Sequence, residues 1–588
     1  MIIGTTNKYQ DSVLYREKVD GVWKSITGKE ARETIENASY GLASLGLGSG
    51  DKVAILSGNG PKWAFSDYAI TTLGAASASI YPTLIPKQIA YILAHSESKA
   101  IFAQNAEQVS KTLEIAGECT NLSTIICMDD KPETDNNLVI TFSDLMEKGK
   151  AFKISDDAYD FEERAMSVKK EDLLTLIYTS GTTGNPKGVM LSHNNLVTNV
   201  IASLEVLQVT NEDEFLSFLP LSHVFERMAG HYLATFTGAT INYAEGIETV
   251  VANLSEINPT FVLSVPRLYE KMYAGVQAKF AAGSFLKRKI AGWAVKTGYA
   301  YVAARRAGTI TSGLQKRMNL ANKLVFIKIQ SLVGNRFRYF CSGGAPLSAE
   351  IGNFFDAAGI KILEGYGLTE TSPVLTVNTP EDYRFGTVGP TLSNVEVRIA
   401  DDGEILGKAP SIMMGYFKDE IATKEAIDDE GWFHTGDIGV FDNGYLRITD
   451  RKKNLIVTAG GKNVAPAPME NAVALSKFVE QIIIIGDRRK FISALIVPTF
   501  VTLSEWAKEN GISFDKPEDL TDNEKVMDLY TNELKKALVD FSHYETVKKF
   551  LLLKKEFTIE DGTLTPSMKI KKKIVEERFK NEIDTLYV

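Results

Sequence analysis

Ten residues between two apolar stretches carry a dense set of groups suited to a polyphosphate. Within Leu173–Leu191, an apolar run leads into Thr179–Gly188 and a second apolar run follows. The loop holds hydroxyls at Thr179, Ser180, Thr182 and Thr183, glycines at 181, 184 and 188, and one lysine, Lys187. Glycines let backbone N–H groups approach an anion closely, and hydroxyls and an ammonium add donors. This is not the G-x4-G-K-[ST] loop that runs into a helix, because Lys187 is followed by Gly188 and Val189. An ordinary polar hairpin loop is the plain alternative, but its composition is unusual for a turn.

Other positions suggest the rest of a nucleotide site. Glu370 is suited to hold Mg²⁺, which prefers carboxylate and phosphate oxygens. Tyr366 lies between Gly365 and Gly367, so a flat ring is offered where the backbone can come close. Asp437 follows a glycine and can accept from two hydroxyls, although an aspartate there is more often a turn residue. His223 follows Pro220-Leu221-Ser222 and is a candidate to line the site of a reacting carboxylate. It is not read as a general base, since a carboxylate nucleophile is already ionised at pH 7. Near the end, Leu564-Thr565-Pro566-Ser567-Met568-Lys569-Ile570 is followed by Lys571, Lys572 and Lys573, any of which could be a solvated helix face. The three cysteines match no zinc spacing and read as structural.

These motifs, in this order, resemble those of the adenylate-forming superfamily, which includes acyl-CoA synthetases, amino-acid adenylation domains and luciferases. Thr179–Gly188 resembles its phosphate loop, with Thr179, Ser180, Gly181, Thr182, Thr183, Gly184 and Lys187 as the binding residues. Pro220–His223 resembles the substrate-side motif. Ser342-Gly343-Gly344-Ala345-Pro346 resembles the adenine turn. Glu364-Gly365-Tyr366-Gly367-Leu368-Thr369-Glu370-Thr371 resembles the adenine and magnesium motif. Trp432–Asp437 resembles the ribose motif, and Asp450-Arg451-Lys452-Lys453 the hinge, where Arg451 adds a donor. The resemblance implies ATP, Mg²⁺ held by Glu370 with Thr182, and coenzyme A as co-substrate. It also implies catalytic roles for Lys569, Glu370, His223 and Thr183. Many relatives have Ser-Gly-Lys where this chain has Ser-Met-Lys, a departure that resembles long-chain acyl-CoA synthetases and leaves the register of the lysine open.

The elements that must position these groups read as an α/β fold. Gly28–Leu47 has apolar residues at helical spacing. Lys52–Leu56, Ala100–Ala103, Thr124–Met128 and Leu138–Thr141 read as strands, and such alternation argues for helices packed on sheets. The uncharged stretch Tyr68–Pro86 reads as a buried helix and its exit loop rather than a membrane span, which needs roughly 20 strongly apolar residues. After Gly386 the chain turns β-rich, and a compact α+β region follows with strands at Ile482–Ile485 and Ile492–Val497 and a charged helix from about Ile570. The resemblance implies a large multi-subdomain N-terminal region, 1–450, and a small mobile C-terminal domain, 451–588.

Composition limits the function classes. The 588 residues are 44% hydrophobic and 24% charged, near the globular average. A net charge of −9 disfavours a nucleic-acid binder, which is usually basic. Three cysteines cannot build a disulfide framework, and the N-terminus lacks a secretory pattern, so a cytoplasmic location is expected. One stretch stands apart: 271–338 carries 14 Lys or Arg and no Asp or Glu. Its basic faces either pair with acidic neighbours or form a docking surface for an anionic membrane, which would make the protein peripheral on the inner face. Lying between the His223 motif and the adenine turn, it resembles the longer insert of long-chain fatty acyl-CoA synthetases, and Phe285, Trp293, Tyr299, Tyr301 and Phe326 are available to line an apolar surface. The implied function is activation of a long-chain fatty acid and its transfer to coenzyme A. Two alternatives stay open: a ligase loading a carrier protein, and a non-catalytic lipid-surface protein.

Overall fold

The computed structural model describes residues 1–179, 185–459, 462–558, 561–565 and 569–587. The chain forms two compact units. The first comprises Met1–Leu268, Ala278–Val397 and Gly407–His434; the second comprises Tyr269–Gln277, Arg398–Leu406 and Thr435–Val588.

The first unit is built on two 8-stranded sheets. One runs in the order Gly415–Tyr416, Lys187–Ser192, Leu173–Thr179, Ala76–Ile80, Lys52–Leu56, Ala100–Ala103, Thr124–Cys127 and Val139–Thr141. From Leu173–Thr179 onward the neighbours are parallel, and the first two strands are antiparallel additions. Parallel strands are covered on both faces, which explains why these are short apolar runs rather than alternating ones. The other sheet runs Val374–Val377, Ile362–Gly367, Tyr339–Ser342, Phe261–Ser264, Glu214–Ser217, Thr240–Tyr243, Val13–Val19 and Val22–Thr27, with antiparallel strands only at its two edges.

The strands expected at Lys52, Ala100, Thr124 and Val139 are present. The helix expected over Gly28–Leu47 spans Gly28–Ser44 and starts at a capping box, Thr27 with Glu30. Such a box satisfies two amides that a helix start leaves open. The stretch Tyr68–Pro86 differs from expectation. The helix Pro61–Thr72 ends inside it, and a wholly buried strand, Ala76–Ile80, follows. Alanine and serine carry little strand propensity, but the position between Lys52–Leu56 and Leu173–Thr179 overrides it. Ser77 and Ser79 then spend their hydroxyls on the substrate-side segment, as described below.

The basic stretch is helical, as Pro266–Ala281, Phe285–Arg306 and Ser312–Ala321, then a π-helical turn, Asn322–Phe326, and Ile327–Gln330. Part of its charge pairs with acidic neighbours. Arg305 and Arg306 bond Asp356 at 2.8 and 3.3 Å, Arg338 bonds Asp213 at 2.7 Å, and Arg336 bonds Glu214 at 3.3 Å.

Glu396–Ile399, Glu404–Lys408, Phe433–Asp442 and Tyr445–Arg451 form a 4-stranded sheet, most of whose residues belong to the second unit. Beyond it, Val479–Ile485, Ile492–Pro498 and Val547–Leu552 form a 3-stranded sheet. Apolar clusters cover both its faces, one around Ile484, Ile496, Val526 and Tyr530, the other around Ile483, Leu495 and Val575. The charged tail forms the helices Lys572–Arg578 and Lys580–Thr585.

Candidate active site

The phosphate-like loop is closed by an antiparallel pair in which Thr179 faces Lys187 and Tyr178 faces Gly188. Ser180, Gly181, Thr182, Thr183 and Gly184 lie outside the described residues. Lys187 places its ammonium 4.8 Å from the ring centre of Tyr416, and the Tyr416 hydroxyl donates to Glu370 Oε1 at 2.8 Å. Burial first, and the Glu370 carboxylate second, hold the Tyr416 phenol well above its ordinary range, so it stays a donor. Tyr416 reaches this place because Gly415–Tyr416 pairs antiparallel with Val189 and Met190. Asn195, in the helix that follows Lys187–Ser192, donates to Pro410 O and Ile412 O and fixes the approach to that strand.

Glu370 sits in a short 3-10 turn, Thr369–Thr371, and its carbonyl accepts from Met413 N at 2.8 Å. Thr369 beside it is buried. No group of three His, Cys, Asp or Glu residues able to hold a metal occurs among the described residues. A half-buried carboxylate beside a phosphate-type loop nevertheless fits Mg²⁺, which is commonly bound by one or two carboxylates together with substrate phosphates.

The adenine-like turn sits on glycines for steric reasons. Gly344 has φ +79°, a conformation that favours glycine. A Cβ at Gly367 would lie 1.7 Å from Pro373 O. Gly344, Ala345 and Pro346 are exposed, while Gly343 is packed on the ring of Phe225, three ångströms from where a Cβ would sit. Glu364 is buried, and its carboxylate accepts from Gly386 N at 3.2 Å and Leu347 N at 3.4 Å. Burial pushes it up to about 8 against those two amides. Glu364 therefore ties its strand to the turn ending at Leu347. Gly365 is half-buried and Tyr366 is buried.

His223 is half-buried and accepts from Phe225 N through Nδ1 at 3.2 Å. Its segment thus meets the Gly343 turn through Phe225. Leu221 N donates to Asn59 Oδ1, and the Ser222 hydroxyl donates to Ile80 O.

The remaining site residues belong to the second unit. Asp437 is buried, faces Arg451 across the hairpin, and bonds its Nε at 3.2 Å. Gly436, with φ +69°, donates its amide to Glu404 Oε1, and Lys452 bonds Asp402 and Glu404 at 2.6 and 3.0 Å. Thr565 and Lys569 close a tight turn, Lys569 N to Thr565 Oγ1 at 3.0 Å and Thr565 N to Lys569 O at 2.8 Å. Pro566, Ser567 and Met568 lie outside the described residues. Loss of solvation, together with the like-charged Arg451, holds the Lys569 ammonium down to about 8 against the pull of Asp437. By surface area the residue as a whole stays exposed. Lys572 instead pairs with Glu470 at 2.9 Å.

Sequence reasoning did not find Tyr416, Glu404 or Asn59. Each acts through partners far along the chain, and no local pattern marks any of them.

Two large α/β sheets are followed by a small α+β unit, and the strand starting at Lys187 approaches the Glu370 carboxylate through Tyr416. The AMP-binding enzyme model matches residues 5–417, and the AMP-binding enzyme C-terminal domain model matches 453–588. The chain belongs to the AMP-binding enzyme family. It is 35% identical to long-chain-fatty-acid–CoA ligase FadD15 of Mycobacterium tuberculosis over 584 residues, covering 98% of this chain and 94% of that protein. It is 33% identical to the peroxisomal long chain acyl-CoA synthetase 6 of Arabidopsis thaliana, covering 97% and 83%. Among solved structures, ATP-bound MatB from Rhodopseudomonas palustris superposes with a TM-score of 0.70 at 20% identity, covering 98% of each chain. The anthranilate CoA ligase AuaEII with anthranoyl-AMP gives 0.72 at 17% identity, covering 98% and 96%. The fold is thus that of adenylate-forming enzymes.

Proposed function

We propose that this protein activates a long-chain fatty acid as its acyl-adenylate and passes the acyl group to coenzyme A. The observation that carries this reading is its near full-length likeness to proteins named long-chain-fatty-acid–CoA ligases. A carboxylate oxygen attacks the α-phosphorus of ATP, the bond to the β-phosphate breaks, and pyrophosphate leaves. The coenzyme A sulfur then attacks the acyl carbon, its proton is lost, and the bond to AMP breaks.

Both reactants of the first step are anionic, so the protein's task is alignment and charge neutralisation. Thr179–Gly184 and Lys187 would hold phosphates; Glu370 and Thr182 would hold Mg²⁺, which would supply charge screening of the phosphates. Tyr416 donates to one oxygen of Glu370 and so would orient the carboxylate that holds the metal. Gly343–Pro346, Glu364–Gly367 and Thr369 frame the adenine, Asp437 and Arg451 hold the ribose, and His223 lines the carboxylate pocket. Lys569 donates to the reacting carboxylate and phosphate. Residues 451–588 form the mobile domain of this reading and turn about a hinge near Lys453 between the half-reactions.

The finer part of the proposal is contact with an anionic membrane through 271–338, as a peripheral protein on the cytoplasmic face. No helix among the described residues is long and apolar enough to cross a membrane. Supporting the contact, Leu320, Leu324 and Ile327 are exposed at helical spacing between Lys316, Arg317, Lys323 and Lys328. Phe285 and Leu286, 66% and 67% exposed, precede Lys287, Arg288 and Lys289. An exposed apolar stripe with basic flanks is the pattern of an interfacial helix.

Turnover of a fatty-acid series with and without coenzyme A tests the reading. Pyrophosphate and acyl-CoA should both form, fastest with long chains. Pyrophosphate without acyl-CoA would point to a carrier protein as acceptor, and no turnover of any chain would remove the enzymatic reading.

A further inference from the structure

Arg227 is wholly buried in the first unit, beside Asp67, which is equally buried. Its guanidinium makes a set of bonds wider than one ion pair. It donates to Asp67 Oδ1, to Ser77 Oγ at 2.6 Å, to Thr175 Oγ1 at 2.7 Å and to the Tyr232 hydroxyl at 3.3 Å. Thr175 Oγ1 donates onward to Ser77 O at 2.8 Å, and Tyr232 donates to Asp67 Oδ2.

These partners lie on different elements. Thr175 is on Leu173–Thr179, the strand that ends where the phosphate-like loop begins. Ser77 is on the neighbouring strand, directly paired with Thr175. Arg227 itself follows His223 by one helical turn, and its amide donates to His223 O at 3.1 Å. The turn it occupies opens a π-helix, Glu226–Tyr232, a form found often at functional sites. A second tie lies two residues up the strand, where Ser79 Oγ donates to Ser222 O at 3.2 Å. The segment 222–227 is therefore fastened at both ends to Ala76–Ile80.

A buried ion pair is weak evidence of a stabilising role, because well-packed apolar residues often do as well or better. The fan of bonds to two strands is what apolar residues could not supply. We infer that Arg227 is a positioning residue: it fixes the distance between the His223 segment and the strand that carries the phosphate loop, and so the alignment of carboxylate and α-phosphate. The inference rests on the adenylation reading above. A misplacement of about 1 Å can cost about 10²-fold in rate without touching the reacting groups.

The test compares stability with the split between kcat and KM in pyrophosphate release. Arg227→Lys keeps a charge beside Asp67, and Asp67→Asn combined with Arg227→Met removes both charges. Thr175→Val is close to isosteric, removes two of the bonds and leaves the ion pair in place. The expected result is a melting temperature lowered modestly in Thr175→Val, which leaves a buried Arg227 N–H and Ser77 O short of a partner, and in the charge-free double variant, with both still folded at the assay temperature. In all three, kcat should fall at least about tenfold, with KM for ATP and fatty acid within about threefold. If kcat instead follows the melting temperature, returning as stability returns, Arg227 is a structural ion pair and the inference fails. An unchanged kcat in folded Thr175→Val overturns it even if the Arg227 variants do not fold. Wild-type turnover is the separate control: without it the adenylation reading fails, and the positioning role of Arg227 falls with it.

Discussion

The lysine that serves adenylation is where residue-level chemistry is most exposed to test. Lys572 is committed to Glu470, whereas Lys569 closes its own turn within the field of Arg451 and Asp437. Lys569→Ala should lower acyl-adenylate formation by roughly 10²–10³-fold, the range for removing one donor to developing charge. Thioester formation from supplied acyl-adenylate should stay within about twofold of wild type. An equal loss in both half-reactions, or a larger effect at Lys571, would move the role elsewhere. The pH dependence has a definite sign. With its ammonium held down to about 8, Lys569 is charged below that pH and loses its proton as pH rises through it. Adenylation should therefore fall above about pH 8, and Lys569→Arg, which stays charged, should keep its own rate to higher pH. The density of hydroxyls and glycines around Lys187 was visible in local composition, and Glu370 stood out through the ordered motif around it. Tyr416 and Arg227 were not legible, since their partners lie 46 and 160 residues away and no local pattern announces a contact of that range.

At the scale of elements, the helices of 271–338 combine two uses of charge. Four arginines meet Asp213, Glu214 and Asp356, so the sequence expectation of pairing with acidic neighbours holds for part of the segment. Lys287, Arg288, Lys289, Lys316, Arg317, Lys323 and Lys328 have no ion pair among the described residues. Near an anionic leaflet each basic residue contributes about 1 kcal/mol. Charge reversal at Lys287, Arg288 and Lys289 should therefore weaken binding to phosphatidylglycerol vesicles by at least about a hundredfold. Turnover of a soluble, medium-chain acid should be spared. Co-sedimentation at low and high salt checks this, since screening shortens to about 3 Å at 1 M salt. Equal loss of turnover would assign these helices to the site or the fold. Element types were readable where periodicity or apolar runs were strong. The strand Ala76–Ile80 was hidden because its Ala and Ser residues form a strand only through their place in the sheet.

For the whole molecule, the motif order foretold the α/β architecture, because the motifs from Thr179 to Lys453 sit on or just beyond strands of the two large sheets or of the small one after Gly386, while the Lys569 turn lies outside all three. Strand order was not readable, since neighbours such as Ala76–Ile80 and Leu173–Thr179 are joined through a long excursion across the sheet. The central claim is that a carboxylate oxygen becomes bonded to the α-phosphorus of ATP. Turnover of a fatty acid labelled with ¹⁸O in its carboxyl group, followed by mass spectrometry of the nucleotide, tests it most directly. One ¹⁸O atom should appear in the phosphate of AMP, carried there when coenzyme A displaces it. Label in inorganic phosphate with ADP as the nucleotide product, or no label in AMP, would contradict the account.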